Sequence, residues 1–390
     1  MAKRDSYFLS LSYFLFFAAL GIFLPYFNLY CYHLNFSAKQ IGFLSAATAL
    51  ARMVSPIFWA YWADHVWKRK KISVLTSLAS AIVFFFCLFI TNFKTMLAGI
   101  FLYGFFRTAI VPLLEASTWE TIDTSGGEYG KIRLWGSVGF ILSSLASGWL
   151  LDRLPLAFAL YGIAVLTFAL FFVSLSLPQD LPQKTEHRKE NHFFAFLMKP
   201  SMAIFILVCV LMQISHGTYY GFYTIYMEQL GFSRTLVGSS WALSVICEII
   251  LMARYQRWFH KTSPVLIMII SCFVAAWRWW VMSYTQSLAF ILLAQCAHAF
   301  TYAAFHVASL TYLNQVTPLN LRNSGQGFLN GISYGFGGMI GLGISGTFYE
   351  SWGAQELFRI SGFFSFWAGG FAILHAFIPF KQKTLPADQR

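Results

Sequence analysis

The sequence predicts an all-α polytopic membrane protein with twelve transmembrane helices arranged as two six-helix halves. The first observation is composition: of 390 residues, 58% are hydrophobic and only 11% are charged, whereas soluble globular domains carry roughly 25% charged residues. The second is that apolar stretches of about 20 residues, long enough to cross a hydrocarbon layer roughly 30 Å thick, recur along nearly the whole chain. The third is an internal repeat that relates the two halves.

Polar, charged, Gly or Pro turns divide the chain into twelve predicted spans. The first six lie at 7–32, 38–63, 71–92, 95–121, 130–152 and 155–177, and the last six at 201–228, 234–258, 263–284, 287–315, 322–349 and 354–380. Between the two sets lies a polar stretch with three prolines and a charged run, Lys184 to Glu190. We therefore expect an N-terminal six-helix bundle over 1–177, a cytoplasmic linker over 178–200 and a C-terminal six-helix bundle over 201–390.

The positive charges are distributed unevenly between the two sides of the predicted membrane. The loops on the side of the linker and both termini hold most of the Lys and Arg residues, including the run Lys68 to Lys71. The opposite loops hold little more than Lys39, Lys94, Arg153, Arg234 and Arg359. Because cytoplasmic loops are enriched in Lys and Arg, both termini are expected in the cytoplasm, with the chain in a bacterial inner membrane.

The net charge of +12 does not predict a nucleic-acid partner, because the basic residues occupy short loops and do not form one basic face. The six cysteines lie in apolar runs without the spacing of a metal site, so no metal or other cofactor is predicted. The expected partners are the lipid bilayer, a small-molecule substrate and protons, with the chain acting as a monomer.

The internal repeat links the start of each half. Leu34-Asn35-Phe36-Ser37 followed by Gly42 recurs 196 residues later as Leu230-Gly231-Phe232-Ser233 followed by Gly238. Parallel repeats of this kind are typical of membrane transporters that bind a solute near the midplane, between their halves.

Several ionisable side chains fall near the middles of predicted spans, where a charge costs about 2.5–3.5 kcal/mol even on a lenient insertion scale and usually marks function. They are Arg52, Arg107, His216, Glu248, Arg278, His298 and His306. The repeat aligns Arg52 with Glu248, so we expect both to face a central cavity. The alternative is a structural ion pair or, for the histidines, a hydrogen-bonded core residue.

Two further charged residues lie close together in the predicted topology. Glu115 of the fourth span and Arg133 of the fifth are joined by a short polar turn, which makes the helices neighbours and an ion pair geometrically possible. Tyr219 belongs to a Tyr-rich stretch that shares a span with His216. Most such aromatics pack or lie at the membrane interface, but those beside His216 can line a pocket for a ring-bearing solute.

At these residues the chain resembles the major facilitator superfamily, in the branch that contains lactose permease and a bacterial phenylpropionate transporter. The stretch Tyr129 to Ser137 is similar to the fifth-helix signature of that branch, and Gly21 to Pro25, Arg278-Trp279, and His298 with His306 resemble further segments in the same order. The resemblance covers nearly the whole chain and implies the major facilitator fold.

The resemblance implies roles for individual residues. Glu115 and Arg133 match the pair that binds sugar in lactose permease, and Glu248, Arg278 and His298 match its charged residues in helices 8, 9 and 10. The proton-carrying glutamate one turn after that histidine corresponds here to Thr301. Coupling, if present, then falls to Glu248, His298 or His306.

These observations predict a secondary transporter that works by alternating access. The substrate hypothesis is an aromatic monocarboxylate such as 3-phenylpropionate, carried with protons and bound by Arg52, Glu115, Arg133, His216, Tyr219 and Arg278. A proton-coupled sugar or nucleoside symporter is the alternative. An integral membrane enzyme that uses Glu248 and His298 as acid and base is disfavoured, because neither an H-E-x-x-H nor a serine-nucleophile motif occurs.

Overall fold

The computed structural model describes residues 2–179, 196–318 and 321–378, and every regular element within these ranges is helical. Ten of these helices are long and apolar enough to cross a membrane. The longest, Ser324–Ala376, is divided into two passes at Gly353, and the shorter apolar helix Phe158–Ser174 supplies one more. This division is consistent with the twelve predicted spans, and the predicted all-α membrane fold is confirmed.

The N-terminal half holds six passes. They are α1 (Ala2–His33), α2 (Ala38–His65), α3 (Arg69–Cys87), α4 (Phe93–Arg107 continued by Ile110–Ser125), α5 (Tyr129–Leu151) and α6 (Phe158–Ser174). The break in α4 was not predicted. It follows from Pro112, which has no N–H to donate to the Thr108 carbonyl, while the Thr108 hydroxyl donates to the Gly104 carbonyl at 2.8 Å.

The C-terminal half begins after the predicted linker, most of which lies outside the described residues. Its passes are α7 (Pro200–Ser215 continued by Gly217–Gln229), α8 (Arg234–Phe259), α9 (Pro264–Tyr284), α10 (Leu288–Cys296 and Phe305–Val316), α11 (Arg322–Asn330 and onward to the break at Gly353) and α12 (from Gly353 to Ala376). Two π-helical segments, Ala299–Ala304 in α10 and Gly331–Gly337 in α11, interrupt this half. Such segments are frequent at functional sites.

The alternating helices give the molecule two ends. We call the end with the turns 34–37, 152–157 and 230–233 the far face, and the end with Leu177 and Pro200 the linker face. The halves pack closely at the far face: a Cβ on Gly42 of α2 would lie 2.7 Å from Cα of Gly346 of α11. At the repeat-related Gly238 of α8, a Cβ would overlap the carbonyl of Ser144 in α5. Only glycine permits these approaches, which explains why Gly42 and Gly238 recur in the repeat.

Each half also caps a helix of the other half at the far face. The backbone N–H groups of Arg234 and Thr235, at the start of α8, donate to the Asp152 carboxylate at 2.8 and 3.0 Å. The N–H of Ala38, at the start of α2, donates to the Glu350 carboxylate at 2.8 Å. Ala38 and Arg234 are equivalent in the repeat, so the two caps are reciprocal. Carboxylates are stabilising there because they satisfy orphan N–H groups and complement the helix dipole.

Side chains extend this closure across the far face. Nε2 of His33 in α1 lies 2.6 Å from Oε2 of Glu228 in α7, and Nη2 of Arg234 lies 3.1 Å from Oε1 of the same glutamate. Nη1 of Arg234 donates to the Leu151 carbonyl at 2.8 Å. The far face is therefore closed in this structure by hydrogen bonds between the halves, and the ion pair with Glu228 fixes the position of Arg234.

Asp152 is the part of this closure that responds to acid. Partial burial acts to raise the pKa of its carboxyl, but the hydrogen bonds from Thr235 and Arg234 outweigh that effect and hold the pKa below its ordinary value. A lowered pKa means that the ionised carboxylate favours the closed state. This contribution is present above the ordinary carboxyl range and is lost as the pH falls through the lowered pKa.

We predict that Asp152→Asn favours opening of the far face. Loss of a helix cap costs about 1 kcal/mol, so the open fraction should rise by roughly fivefold. Spin labels at Thr91→Cys and Gln286→Cys, in far-face turns of opposite halves, would measure the separation by pulsed EPR in a background without native cysteines.

Glu356→Gln is the matched control, because Glu356 pairs only with Arg359 one turn along the same helix. The unsubstituted chain should shift toward longer distances in acid, and the Asp152→Asn variant should lose most of that pH response. Equal distance distributions in the two proteins would show that the cap does not hold the far face closed.

Candidate functional site

Arg278 lies at the centre of the C-terminal half. It projects from the middle of α9, and none of its surface is exposed. Its guanidinium lies between two aromatic rings, with Cζ 4.4 Å from the ring centroid of Tyr219 and 4.3 Å from that of Trp279. A desolvated cation over ring faces gains about 2 kcal/mol or more from each favourable contact.

The hydrogen-bond acceptors around Arg278 are all neutral groups of α10. Nη1 donates to Nδ1 of His298 at 2.8 Å and to Oγ1 of Thr301 at 3.1 Å, and Nη2 donates to Oε1 of Gln295 at 3.2 Å. Nε has no partner among the described residues. A buried charge is normally paired, so a guanidinium held without a carboxylate is well suited to receive one from a solute.

His298 connects this cation to Glu248 of α8. Its Nε2 lies 3.1 Å from Oε1 of Glu248, whose side chain is only 14% exposed. Because arginine can only donate, His298 must accept at Nδ1 and carry its proton on Nε2, which then donates to the Glu248 carboxylate. The donor set thus fixes a neutral His298 between the Arg278 guanidinium and the Glu248 carboxyl group.

His216 approaches the same cluster from α7. Its Nδ1 lies 2.7 Å from the Met212 carbonyl, and its Nε2 lies 3.4 Å from Oγ1 of Thr301. His216 also interrupts α7, because Gly217 packs directly on the backbone of Gly341 in α11. The sequence analysis placed His216 within an unbroken span and did not predict this break.

Gln295 is a site residue that the sequence analysis missed. Besides Arg278, its Oε1 accepts from the hydroxyls of Tyr219 at 2.9 Å and Ser244 at 2.7 Å. It thereby joins α7, α8, α9 and α10 at one oxygen atom. Its spacing of three residues from His298 was a usable signal, because residues three and four apart share one helix face.

A ladder of rings extends from His298 along α10 toward the linker face. His298 stacks on Tyr302 with centroids 5.5 Å apart, and Tyr302 stacks on His306 at 6.1 Å. Nδ1 of His306 lies 2.9 Å from the Tyr334 hydroxyl of α11. The eight residues from His298 to His306 span about 12 Å of helix. Within the described ranges, no three His, Cys, Asp or Glu side chains converge as a metal site.

Glu115 and Arg133 occupy the N-terminal half. The Tyr129 hydroxyl lies 3.5 Å from Oε1 of Glu115. The Arg133 guanidinium lies over Phe17, 4.2 Å from the ring centroid, and 5.4 Å from that of Tyr13. Within the described part of the chain the two charged groups do not reach ion-pair distance of each other, so both are available to a solute.

Arg52 and Glu248 hold equivalent positions in the two halves of the repeat. Arg52 is exposed on α2, and Glu248 is largely buried in α8 beside His298. That both side chains face a common central cavity stays a prediction. The roles assigned to the individual residues stay predictions.

We predict that Gln295→Leu destabilises the protein, because it leaves buried donors of Tyr219, Ser244 and Arg278 without their acceptor. Each buried group left unsatisfied costs about 1–3 kcal/mol. The thermal midpoint of the purified protein should fall clearly below that of the Gln286→Leu control, which lies in an exposed turn. Gln295→Glu keeps the acceptor and should retain most of the stability. Equal midpoints for the two leucine variants would contradict the importance of this oxygen.

The chain is similar in sequence to known membrane transport proteins. The sequence pattern of the MFS_1 like family matches residues 7–360. The probable 3-phenylpropionic acid transporter of Escherichia coli (strain K12) is 29% identical over 321 residues, which cover 80% of this chain and 83% of that protein. The maltose permease of Geobacillus stearothermophilus is 23% identical over 358 residues, with 89% of each chain covered.

The same fold occurs in a solved transporter. The crystal structure of the nucleoside transporter NupG superposes with a TM-score of 0.84 at 19% identity, covering 96% of this chain and 99% of that one. The family pattern extends over most of the chain, and its relatives carry the names of transporters and permeases. The chain therefore belongs to the MFS_1 like family and is a multi-pass membrane transporter, not an enzyme.

Proposed function

We propose that this transporter is a proton-coupled symporter of small organic acids, with an aromatic monocarboxylate such as 3-phenylpropionate as its substrate class. The observation that carries the proposal is the charge of the inner helix segments. The cations there are Arg52, Arg107, Arg133 and Arg278, and the anions are Glu115 and Glu248. Even with neutral histidines this leaves two excess positive charges, which an anionic solute reduces.

The aromatic surroundings of Arg278 favour a ring-bearing acid. Tyr219 packs on Trp241 and Trp279 with ring centroids 4.7 and 5.7 Å apart. Tyr220 stacks on His216 at 5.8 Å. Aromatic rings in offset or edge contacts gain about 0.5–1.5 kcal/mol each beyond area burial. The name of the Escherichia coli relative points to the same substrate class.

The test is binding and uptake by purified protein in proteoliposomes, with 3-phenylpropionate, uridine and maltose as probes. We expect 3-phenylpropionate to bind and accumulate. Arg278→Lys should raise its Kd by roughly tenfold or more, because lysine keeps the charge but loses the planar fork that binds a carboxylate. Arg359→Lys is the control, since Arg359 pairs with Glu356 and lies over the Tyr284 ring near the far face, away from Arg278. Binding of uridine or maltose without any binding of the acid would refute the proposal.

Proton coupling is assigned to Glu248 and its partner His298. A carboxyl group that alternates between a buried environment and contact with a cation binds and releases a proton as those surroundings change. We predict that Glu248→Gln abolishes accumulation driven by a proton gradient but keeps substrate exchange, whereas Glu356→Gln keeps both. Gradient-driven accumulation at the unsubstituted rate in Glu248→Gln would eliminate Glu248 as the coupling residue.

The orientation follows from charge. The linker face carries the Lys68 to Lys71 run, which supports a cytoplasmic linker face with both termini and an extracytoplasmic far face in a bacterial inner membrane. In the present conformation the far face is closed, so the solute would exchange with the cytoplasm. The functional unit is the monomer, since each half supplies one wall of the site.

A nucleoside or sugar is the second candidate substrate, and Glu115 favours it. This carboxylate is half-buried beside Tyr129 and Arg133, without a close ion pair, so it can accept hydrogen bonds from solute hydroxyls. The Tyr129 ring stacks on Trp119 with centroids 4.9 Å apart, which gives a flat surface for a base or sugar ring. The three probes above separate this candidate from the organic acid.

A further inference from the structure

Thr301 occupies the position where the lactose permease pattern has a proton-carrying glutamate, and the structure gives this hydroxyl a definite place. It is 2% exposed and lies in the π-helical segment of α10. Its Oγ1 accepts from Arg278 Nη1 at 3.1 Å and lies 3.4 Å from His216 Nε2. Among the described residues, Thr301 is therefore a side chain that links the cation of α9 to the histidine of α7 by hydrogen bonds.

The direction of each hydrogen bond in this bridge follows from chemistry. The Met212 carbonyl can only accept, so His216 carries a proton on Nδ1, which lies 2.7 Å away. Neutral His216 then has a free electron pair on Nε2. Arg278 can only donate, so the Thr301 oxygen accepts from it, and the Thr301 hydrogen has two acceptors at 3.4 Å, Nε2 of His216 and the His298 carbonyl of its own helix.

We propose that Thr301 is a positioning residue that holds Arg278 and transmits the protonation state of His216 to the guanidinium. When Nε2 of His216 takes a proton from water, its new N–H points at Oγ1 of Thr301 and competes there with Arg278. A second positive charge then stands beside the guanidinium. Both effects loosen Arg278 from Thr301 and favour an anion as its new partner.

The charged groups around His216 determine how its protonation is linked to anion binding at Arg278. The titratable and charged groups around it are Arg278 of α9, His298 of α10 with Glu248 of α8 behind it, and Tyr220 on the same helix, while α11 presents the backbone of Gly341. Arg278 is separated from His216 only by the Thr301 hydroxyl, so a proton on His216 is repelled until an anion neutralises Arg278. Proton and carboxylate therefore bind more tightly together than separately, which is the linkage that symport requires.

The hydrogen-bond arrangement is tested first, without any substrate. Nitrogen NMR of the full-length protein with labelled histidine distinguishes protonated from free ring nitrogens, and His216→Gln and His298→Gln identify the two signals. We expect the proton on Nδ1 in neutral His216 and on Nε2 in His298. Thr301→Val should move the His216 Nε2 signal, whereas Thr311→Val should not, since the Thr311 hydroxyl donates only to Val307 of its own helix. A protonated Nε2 in neutral His216, or no response to Thr301→Val, would overturn the proposal.

The transport consequence rests on the proposed acid symport and is measured separately. Thr301→Val should raise the KM of acid exchange by about fivefold or more and flatten its pH dependence, with Thr301→Ser close to the unsubstituted chain. Combining His216→Gln with Thr301→Val should add little to either single change. If the unsubstituted protein carries no acid, the proposed function fails while the NMR result still decides the role of Thr301. If it carries the acid and Thr301→Val keeps the original KM and pH profile, the positioning role is wrong.

Discussion

The burial of the Arg278 charge is the constraint on which the C-terminal half depends. A guanidinium in a low-dielectric interior is tolerated only with its donors satisfied and its charge compensated. Here neutral acceptors on α10 and the ring faces of Tyr219 and Trp279 provide most of that compensation. The helices that supply these groups are fixed relative to α9, because displacing any of them leaves a donor of Arg278 unpaired. The site is consequently rigid where it holds the cation and electrostatically incomplete without an anion.

The helical fold could be predicted from the sequence more completely than the contacts of the candidate site. The apolar lengths and the repeat predicted the fold class, because hydrophobic thickness and the pairing of backbone groups restrict a membrane chain to helices. Midplane charge identified Arg278, Glu248 and His298, because each is expensive in lipid. Gln295 was not predicted because a neutral polar residue carries little penalty in a span. Thr301 was identified from the resemblance, but only the surrounding geometry reveals what either side chain contacts. The helix caps that Asp152 and Glu350 form between the halves were not predicted either. Nothing in the sequence around a carboxylate indicates a partner that is distant along the chain.

The repeat is retained where the halves close on each other at the far face, and it has diverged at the charged positions 52 and 248. Gly42 and Gly238 make equivalent close approaches, and Ala38 and Arg234 receive equivalent carboxylate caps. Closure of the far face is thus nearly symmetric. Arg52 and Glu248 instead place opposite charges at equivalent positions, so the two halves differ chemically there although their scaffolds correspond.

The second segment of α7 joins the closed far face to the buried site. Gly217–Gln229 carries Tyr219 on the guanidinium, and its Gly221 carbonyl accepts from Asn28 of α1 at 2.9 Å. The segment ends near Glu228, which pairs with His33 of the other half. Its beginning is the break at His216, where Gly217 packs directly on the backbone of Gly341 in α11. Tyr219 and Glu228 therefore belong to one helical segment, which contacts the buried cation at one end and the closed far face at the other.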